Sequence, residues 1–305
     1  MCFSEKNKNN QEKEIRKPVV AGQFYEKDFK NLNKQIEACF NSNKGSGVIS
    51  KTRFKNLIAV ISPHAGYFFS GACASWAYKE IAESEFPDAY IILGPNHYGF
   101  DSGISKKEWE TPLGIIETNK EIIELLEKKT SLKINENCHI FEHSIEVQLP
   151  FLQYVSCDKI KELKIVPIVI GHELDFKEIG KELFNIYSEL EKKKKKIAFI
   201  ISSDFTHYGK NYDYLPFVSD VKNKINQLDQ GAINLIKNLD VNGFYNYLKK
   251  TKITICGFSP ILVFLTFLNE LTKIKKINSE LLMYYTSGDI LGYKNSVSYV
   301  SMVFR

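Results

Sequence analysis

Three stretches of this chain place histidines and a carboxylate directly after an apolar run. Leu57 to Ser62 leads into Pro63-His64-Ala65-Gly66-Tyr67. Ala89 to Leu93 leads into Gly94-Pro95-Asn96-His97-Tyr98-Gly99. Ile197 to Ile201 leads into Ser202-Ser203-Asp204-Phe205-Thr206-His207-Tyr208-Gly209. One histidine after a strand is ordinarily a turn residue or a satisfied polar group. Three of the chain's 6 histidines in equivalent positions call for a common cause. Neutral imidazole nitrogen suits zinc, iron and copper, and a non-haem iron site typically takes two histidines and a carboxylate while keeping open positions. His64, His97, Asp204 and His207 therefore form a candidate metal or catalytic set.

Two further segments carry chemistry. In Glu142-His143-Ser144-Ile145-Glu146 the spacing predicts the start of a helix. His143 and Glu146 then share a helical face, as a carboxylate that orients an imidazole or a general acid with its orienter. The plain alternative is a charge pair at a helix start. In Thr254-Ile255-Cys256-Gly257-Phe258-Ser259-Pro260 a cysteine stands just before a glycine turn and an apolar helix. A thiolate near a helix N-terminus has a lowered pKa and can ligate metal or react. The plain alternative is an inert buried thiol. His139 and His172 lack such a pattern and read as structural or surface residues. Tyr67, Tyr98 and Tyr208 follow the motif histidines closely and read as wall packing or pocket lining.

The elements that must position these residues alternate. Strands are expected over 57–62, 89–93, 163–170 and 197–201, with late strands over 281–286 and 297–304. Helices are expected over 72–82, 120–129, 143–154, 175–190, 220–238, 241–250 and 259–271. Pro167, inside the third strand, suggests an edge position or a bulge. Strands alternating with helices predict an α/β domain with a mostly parallel central sheet and helices on both faces. In such sheets ligands bind beyond the carboxyl ends of the strands, where the histidine motifs fall. The run Lys192 to Lys196 reads as a solvated connector.

Composition bounds the rest. Of 305 residues, 44% are hydrophobic and 25% charged, enough for a substantial core. A net charge of +5, from 41 basic and 36 acidic residues, does not point to nucleic acid or to a membrane surface. No apolar run is long enough to span a bilayer. Residues 1–17 are polar, lack a signal-peptide core and read as a flexible segment ahead of a single domain over 18–305. The second residue is Cys2, which excludes N-myristoylation. The 6 cysteines show no CxxC pair and read as reduced thiols in a cytoplasmic protein.

The motifs PHAGY, LGPNHYG, EHSIEVQLPFL, SSDFTHYG and TICG stand in the order and rough spacing of the Memo family, also called the AmmeMemoRadiSam system protein B family. The opening Ala21-Gly22-Gln23-Phe24-Tyr25 and the closing SVSYVSMVF resemble it too, so the match runs from about residue 17 to the C-terminus. The resemblance implies a fold similar to class III extradiol ring-cleaving dioxygenases, which are non-haem iron enzymes. It places the family's metal-site positions on His64, His97 and Cys256, and its active-site aspartate and histidine on Asp204 and His207. His143 belongs to the same pocket.

Where the dioxygenases use a carboxylate as third ligand, this chain resembles Memo in offering a thiolate. Sulfur is softer and more oxidisable and shifts preference toward copper or zinc. Ring cleavage is therefore not carried over. The resemblance implies iron or copper binding, with zinc as a further candidate, and metal-linked redox behaviour on a small molecule of unknown identity. It also implies an alternative: a non-catalytic adaptor in cell-motility signalling that takes a tyrosine-phosphorylated peptide in the same pocket. A hydrolase with a metal-bound water is a third reading. Glu26 stands where many prokaryotic relatives carry proline, outside the site.

Overall fold

The computed structural model describes residues 14–305. The chain runs β1 (Ile15–Arg16), α1 (Phe29–Asn41), β2 (Ala59–Ser62), α2 (Tyr67–Ala82), β3 (Ala89–Pro95), β4 (Gly103–Ile104), β5 (Glu108–Thr111) and β6 (Gly114–Thr118). It continues with α3 (Lys120–Lys129), α4 (Gln148–Val155), β7 (Lys164–Ile170), α5 (Phe176–Lys192), β8 (Ile197–Ser202) and β9 (His207–Gly209). The last elements are α6 (Val221–Lys237), α7 (Val241–Thr251), α8 (Phe258–Leu271), β10 (Ser279–Thr286), α9 (Gly288–Leu291) and β11 (Asn295–Phe304).

The strands form one mixed sheet in the order β1-β5-β6-β7-β3-β8-β2-β11-β10, with β4 beside β7 and β9 beside β11. Its centre is parallel: β6 with β7, β7 with β3, β3 with β8, and β8 with β2. The late strands β10 and β11 add an antiparallel edge. Alternation along the central strands divides the core in two. Ile91 and Leu93 of β3 and Phe199 and Ile201 of β8 face a layer containing α3, α5 and α8. Tyr90, Ile92, Ala198 and Ile200 face the other layer, with α1, α2 and α4. The amphipathic α5 shows why: its buried Ile179, Leu183, Ile186 and Leu190 recur every three or four residues. Asp175 caps it by accepting the N–H groups of Lys177 and Glu178.

Several expectations need correction. Strand β7 is interior, not an edge, and its pairing with β3 is unbroken from Ile165 to Ile170. Pro167 is tolerated because the other flank of β7 is shared by two short strands, β6 at Lys164–Ile165 and β4 at Ile168–Val169. Its carbonyl accepts from Ser105 N–H at 3.0 Å, so its nitrogen faces that same flank, at the join between the two partners. The helix expected from His143 begins at Gln148. Pro150 then falls in the first turn, where its missing N–H costs nothing.

The expected flexible segment spans residues 1–17. Residues 1–13 lie outside the described residues, but Ile15 and Arg16 pair with Glu108 and Trp109 of β5. Arg16 is buried against Glu146, a partner the local sequence does not announce. Among the described residues Cys39, Cys73, Cys138 and Cys256 are free thiols. Cys157 is disulfide-bonded, so not all six cysteines are reduced. Spacing along the chain does not show which thiols come within bonding reach.

Lys192 to Lys196 joins α5 to β8 largely in solvent, with Lys195 near Asp88 and Lys196 paired to Glu85. No helix among the described residues is long and apolar enough to cross a membrane.

Candidate metal centre

Because β2, β3 and β8 are parallel neighbours, the loops after them leave the sheet at one end. His64, His97, Asp204 and His207 therefore meet, although as many as 140 residues separate His64 from Asp204. Cys256 joins them from the turn before α8, with its Sγ 3.2 Å from His64 Nε2. Ligand atoms of His64, His97 and Cys256 lie within 4.8 Å of one another. Two overlapping groups meet the same limit: Asp204 with His207 and Cys256, and His97 with Glu142 and His143.

The imidazoles are held from behind. His64 Nδ1 lies 2.8 Å from Ser202 Oγ, the last residue of β8. Gln148 Nε2 also donates to Ser202 Oγ, at 2.8 Å. His97 Nδ1 lies 3.0 Å from Glu142 Oε1. His207 Nδ1 lies 3.0 Å from the Thr254 carbonyl, two residues before Cys256. In each case the nitrogen facing away from the site is engaged, which fixes the ring and leaves Nε2 for a ligand or a proton. Asp204 Oδ1 accepts the backbone N–H of His64 at 2.9 Å, and Asp204 N–H donates to Cys256 Sγ at 3.2 Å. The Asp204 main chain and side chain thus tie the loop after β2 to the cysteine.

Burial and the neighbouring imidazoles of His97, His143 and His207 hold His64 well below its ordinary value, so it is neutral. Burial also lowers His143, to about 4, with His97 adding to the effect. Burial opposes charge on His97 too, but hydrogen bonds to Cys256 and Glu142 outweigh it and push His97 up to about 10. Glu142 moves the opposite way: burial pulls its carboxyl up, and His97 holds it down at about 2. Burial raises the Cys256 thiol, partly offset by His97, and burial raises Asp204 against the pull of His207.

These groups open onto a cavity of about 560 Å³ walled by Phe24, Phe69, Tyr212, Leu291 and Tyr299, with His64, His97, His143, Asp204 and His207 on its polar side. Cys256 is not part of the wall; its sulfur packs against His64 and Asp204. None of the described residues lining the cavity is lysine or arginine.

The carboxylate beside His97 and His143 is Glu142, not Glu146. Glu146 turns away and accepts from Val19 and Val20 N–H and from Tyr25 Oη, besides pairing with Arg16. The reason is the late start of α4, which removes the shared helical face of His143 and Glu146. Glu142 was visible only as the neighbour of His143, and nothing in its spacing singles it out. Ser202 and Thr254 also escaped notice, although both stand inside the motifs. Tyr67 and Tyr208 are buried packing residues whose hydroxyls donate to the carbonyls of Val147 and Phe217. Tyr98 is exposed, and none of the three lines the cavity. His139 is buried beneath Trp109 with Nε2 3.0 Å from the Gly103 carbonyl, and His172 is exposed and stacked on Phe258.

Over residues 16–303 the chain matches the family described as Memo-like protein. The chain belongs to the Memo family. A MEMO1 family protein of Saccharolobus islandicus is 40% identical over 293 residues, covering 92% of this chain and 96% of that one. A MEMO1 family protein of Methanosarcina barkeri is 38% identical over 287 residues, covering 93% and 97%. Among solved structures, an uncharacterised protein of Escherichia coli K12 is similar with a TM-score of 0.47 at 12% identity, covering 81% of this chain and 99% of that one. This Memo-family chain thus carries a histidine and cysteine cluster able to chelate a metal ion.

Proposed function

We propose that this Memo-family protein binds a redox-active iron or copper ion through His64, His97 and Cys256 and uses it on a small molecule held in the adjoining cavity. One observation carries the reading: three donor atoms of ligand type lie within 4.8 Å, and both imidazoles are anchored through the nitrogen that faces away. Such anchoring is what metal-binding histidines ordinarily show. Two imidazoles and one thiolate suit copper, iron or zinc better than hard cations. A bound iron or copper ion would supply one-electron chemistry and an open coordination position.

The chain's own groups do the rest. His207, with Nδ1 facing the Thr254 carbonyl, keeps its proton there and offers Nε2 as an acceptor. Asp204 holds the loop that carries His64 and orients the Cys256 sulfur. His143 faces the same cavity and is neutral, so it serves as a hydrogen-bonding partner for a bound molecule. The aromatic walls exclude water from that molecule. Ring cleavage, as in the extradiol dioxygenases, is not part of the proposal, because the third donor is a thiolate.

The competing reading is a non-catalytic signalling adaptor that holds a tyrosine or phosphotyrosine side chain. The aromatic walls suit the ring. A phosphate dianion, however, finds no lysine or arginine among the described lining residues and faces Asp204. Metal analysis of protein purified without oxygen, followed by an oxygen-uptake screen, tests the first reading directly. Cys256→Ser should weaken copper far more than it harms folding, and Cys256→Asp should shift preference toward iron. If Cys256→Ser binds both metals as tightly as the parent, the thiolate is not a ligand and the adaptor reading stands.

A further inference from the structure

Among the imidazoles of the cavity, His143 is the one without a hydrogen-bonded anchor. Its Nδ1 is buried without a partner among the described residues, and Glu142 Oε1 stands 3.6 Å away, beyond hydrogen-bonding reach. Rings surround it instead: His97 and Phe24 stand nearest, with His64 at 5.6 Å and Tyr98 at 6.5 Å between centroids. His97 stacks against it at 4.7 Å between centroids and 21° between planes. Phe24 meets it edge to face at 4.8 Å and 69°.

Phe24 is itself fixed from a distance. It stands in the segment 16–25, which crosses the rim of the cavity. The segment is pinned to the loop bearing His143 by one buried carboxylate, Glu146, which no solvent reaches. Glu146 accepts from Val19 N–H at 2.9 Å, Val20 N–H at 3.0 Å and Tyr25 Oη at 2.6 Å. It also pairs with Arg16, whose Nη2 donates to the Glu142 carbonyl at 2.6 Å and whose Nε donates to the His139 carbonyl at 3.2 Å. At the other end the Phe24 carbonyl accepts Tyr67 N–H at 2.7 Å, at the start of α2 just beyond His64.

We propose that Phe24 is the positioning residue of His143, and that the Glu146 carboxylate acts through the segment 16–25 to keep Phe24 in place. An imidazole with no anchoring hydrogen bond keeps one orientation only if its neighbours leave it one. Here one face is closed by His97, and of the rings that meet it edge to face Phe24 is the nearest, at 4.8 Å against 5.6 Å for His64 and 6.5 Å for Tyr98. Four donors converging on Glu146 set the segment, so the ring cannot retreat without opening a buried charge network. The proposal rests on the reading that His143 acts in the cavity, and it adds the device that aims it.

The test uses full-length protein with isotope-labelled histidine, in Phe24→Leu, Glu146→Gln and Glu146→Asp forms. Nuclear Overhauser contacts between the rings of His143 and His97, and the ring signals of His143, report its orientation. Cobalt(II) titration, followed by thiolate charge-transfer absorption, reports the ligand set separately. In Phe24→Leu the His143–His97 contact should vanish and the His143 signals should average. Cobalt affinity should stay within a few-fold of the parent, well short of the about 10–100-fold loss that follows damage to a ligand's own partner. Glu146→Gln should mobilise His143 in the same way, and Glu146→Asp, which keeps the charge, should restore much of the contact. Should Glu146→Gln fail to fold, Tyr25→Phe removes one donor from the same carboxylate and replaces it. His143 signals unchanged in Phe24→Leu would overturn the role of Phe24, and signals unchanged in a folded Glu146 or Tyr25 variant would overturn the link to Glu146. Failure of the parent to bind cobalt would instead refute the metal reading and leave the NMR result to stand alone.

Discussion

Glu142 meets His97 twice: its Oε2 accepts the backbone N–H at 2.6 Å, and its Oε1 lies 3.0 Å from the ring Nδ1. The same carboxylate accepts the N–H groups of His143 and Ser144 at 2.8 and 2.7 Å. One buried charge therefore sets both the orientation of a metal-ligand candidate and the course of the loop that carries His143. Glu142→Gln keeps the shape and one acceptor but loses the charge. We expect metal affinity to fall by about 10–100-fold with little change of fold. Competition titration against a chelator of known affinity checks this, and unchanged affinity would remove Glu142 from the site.

The pairing also sets a pH dependence. His97 is pushed up to about 10, so its contribution to stability is whole below its ordinary value of 6.5 and is lost as pH rises through about 10. Glu142 is held down at about 2, so its contribution is present above its ordinary value of 4.5 and is lost as pH falls through about 2. The metal-free protein should thus gain most from this pair between the two ordinary values, 4.5 and 6.5. Metal demands the opposite: a neutral His97 and a Cys256 thiolate, although burial raises the thiol. The pair must shed at least one proton on binding. Thermal stabilisation by zinc or cobalt should therefore grow from pH 6.5 upward, and calorimetry in buffers of different ionisation enthalpy should show proton release. A metal-induced shift that shrinks with rising pH would contradict this.

Gly257 follows Cys256 at the start of α8, and the backbone leaves no room beside it. A Cβ there would stand 2.6 Å from the Ser202 carbonyl oxygen and press on the Ser203 side chain. Gly257→Ala should cost about 1–3 kcal/mol by overpacking. Since the strain falls on the residue next to Cys256, the sulfur should move and cobalt–thiolate absorption should weaken although no ligand was changed. Chemical denaturation and the absorption titration together check both halves.

Arg16 and Glu146 form a buried ion pair, with side chains 6% and 0% exposed. Removing one partner leaves a buried charge without its counter-ion. Arg16→Met should destabilise by about 3–5 kcal/mol. The double change Arg16→Met with Glu146→Gln should recover part of that loss, because no uncompensated charge remains. Urea midpoints of the double variant and of both single variants decide the matter: a double loss equal to the sum of the two single losses would mean that the pair is not coupled.

Much of the architecture was legible in the chain itself, because it depends on local periodicity. The apolar runs ending at Ser62, Leu93, Ile170 and Ile201 became β2, β3, β7 and β8, and α5 follows a three-to-four spacing that needs no partner to be seen. The motifs after β2, β3 and β8 pointed to the candidate site for the same reason: parallel strands deliver their following loops to one end of the sheet. What the chain did not reveal are relations between segments. The spacing of His143 and Glu146 suggested a pair, but Pro150 delayed α4 and Glu146 went to Arg16, 130 residues away in sequence. Pro167 suggested an edge, but two short strands met beside it. That the sulfur of Cys256 stands 3.2 Å from an imidazole nitrogen of His64, 192 residues away, was decided only by tertiary packing. Such contacts are set by loop paths and side-chain rotamers, which the folded neighbours select and the local sequence does not.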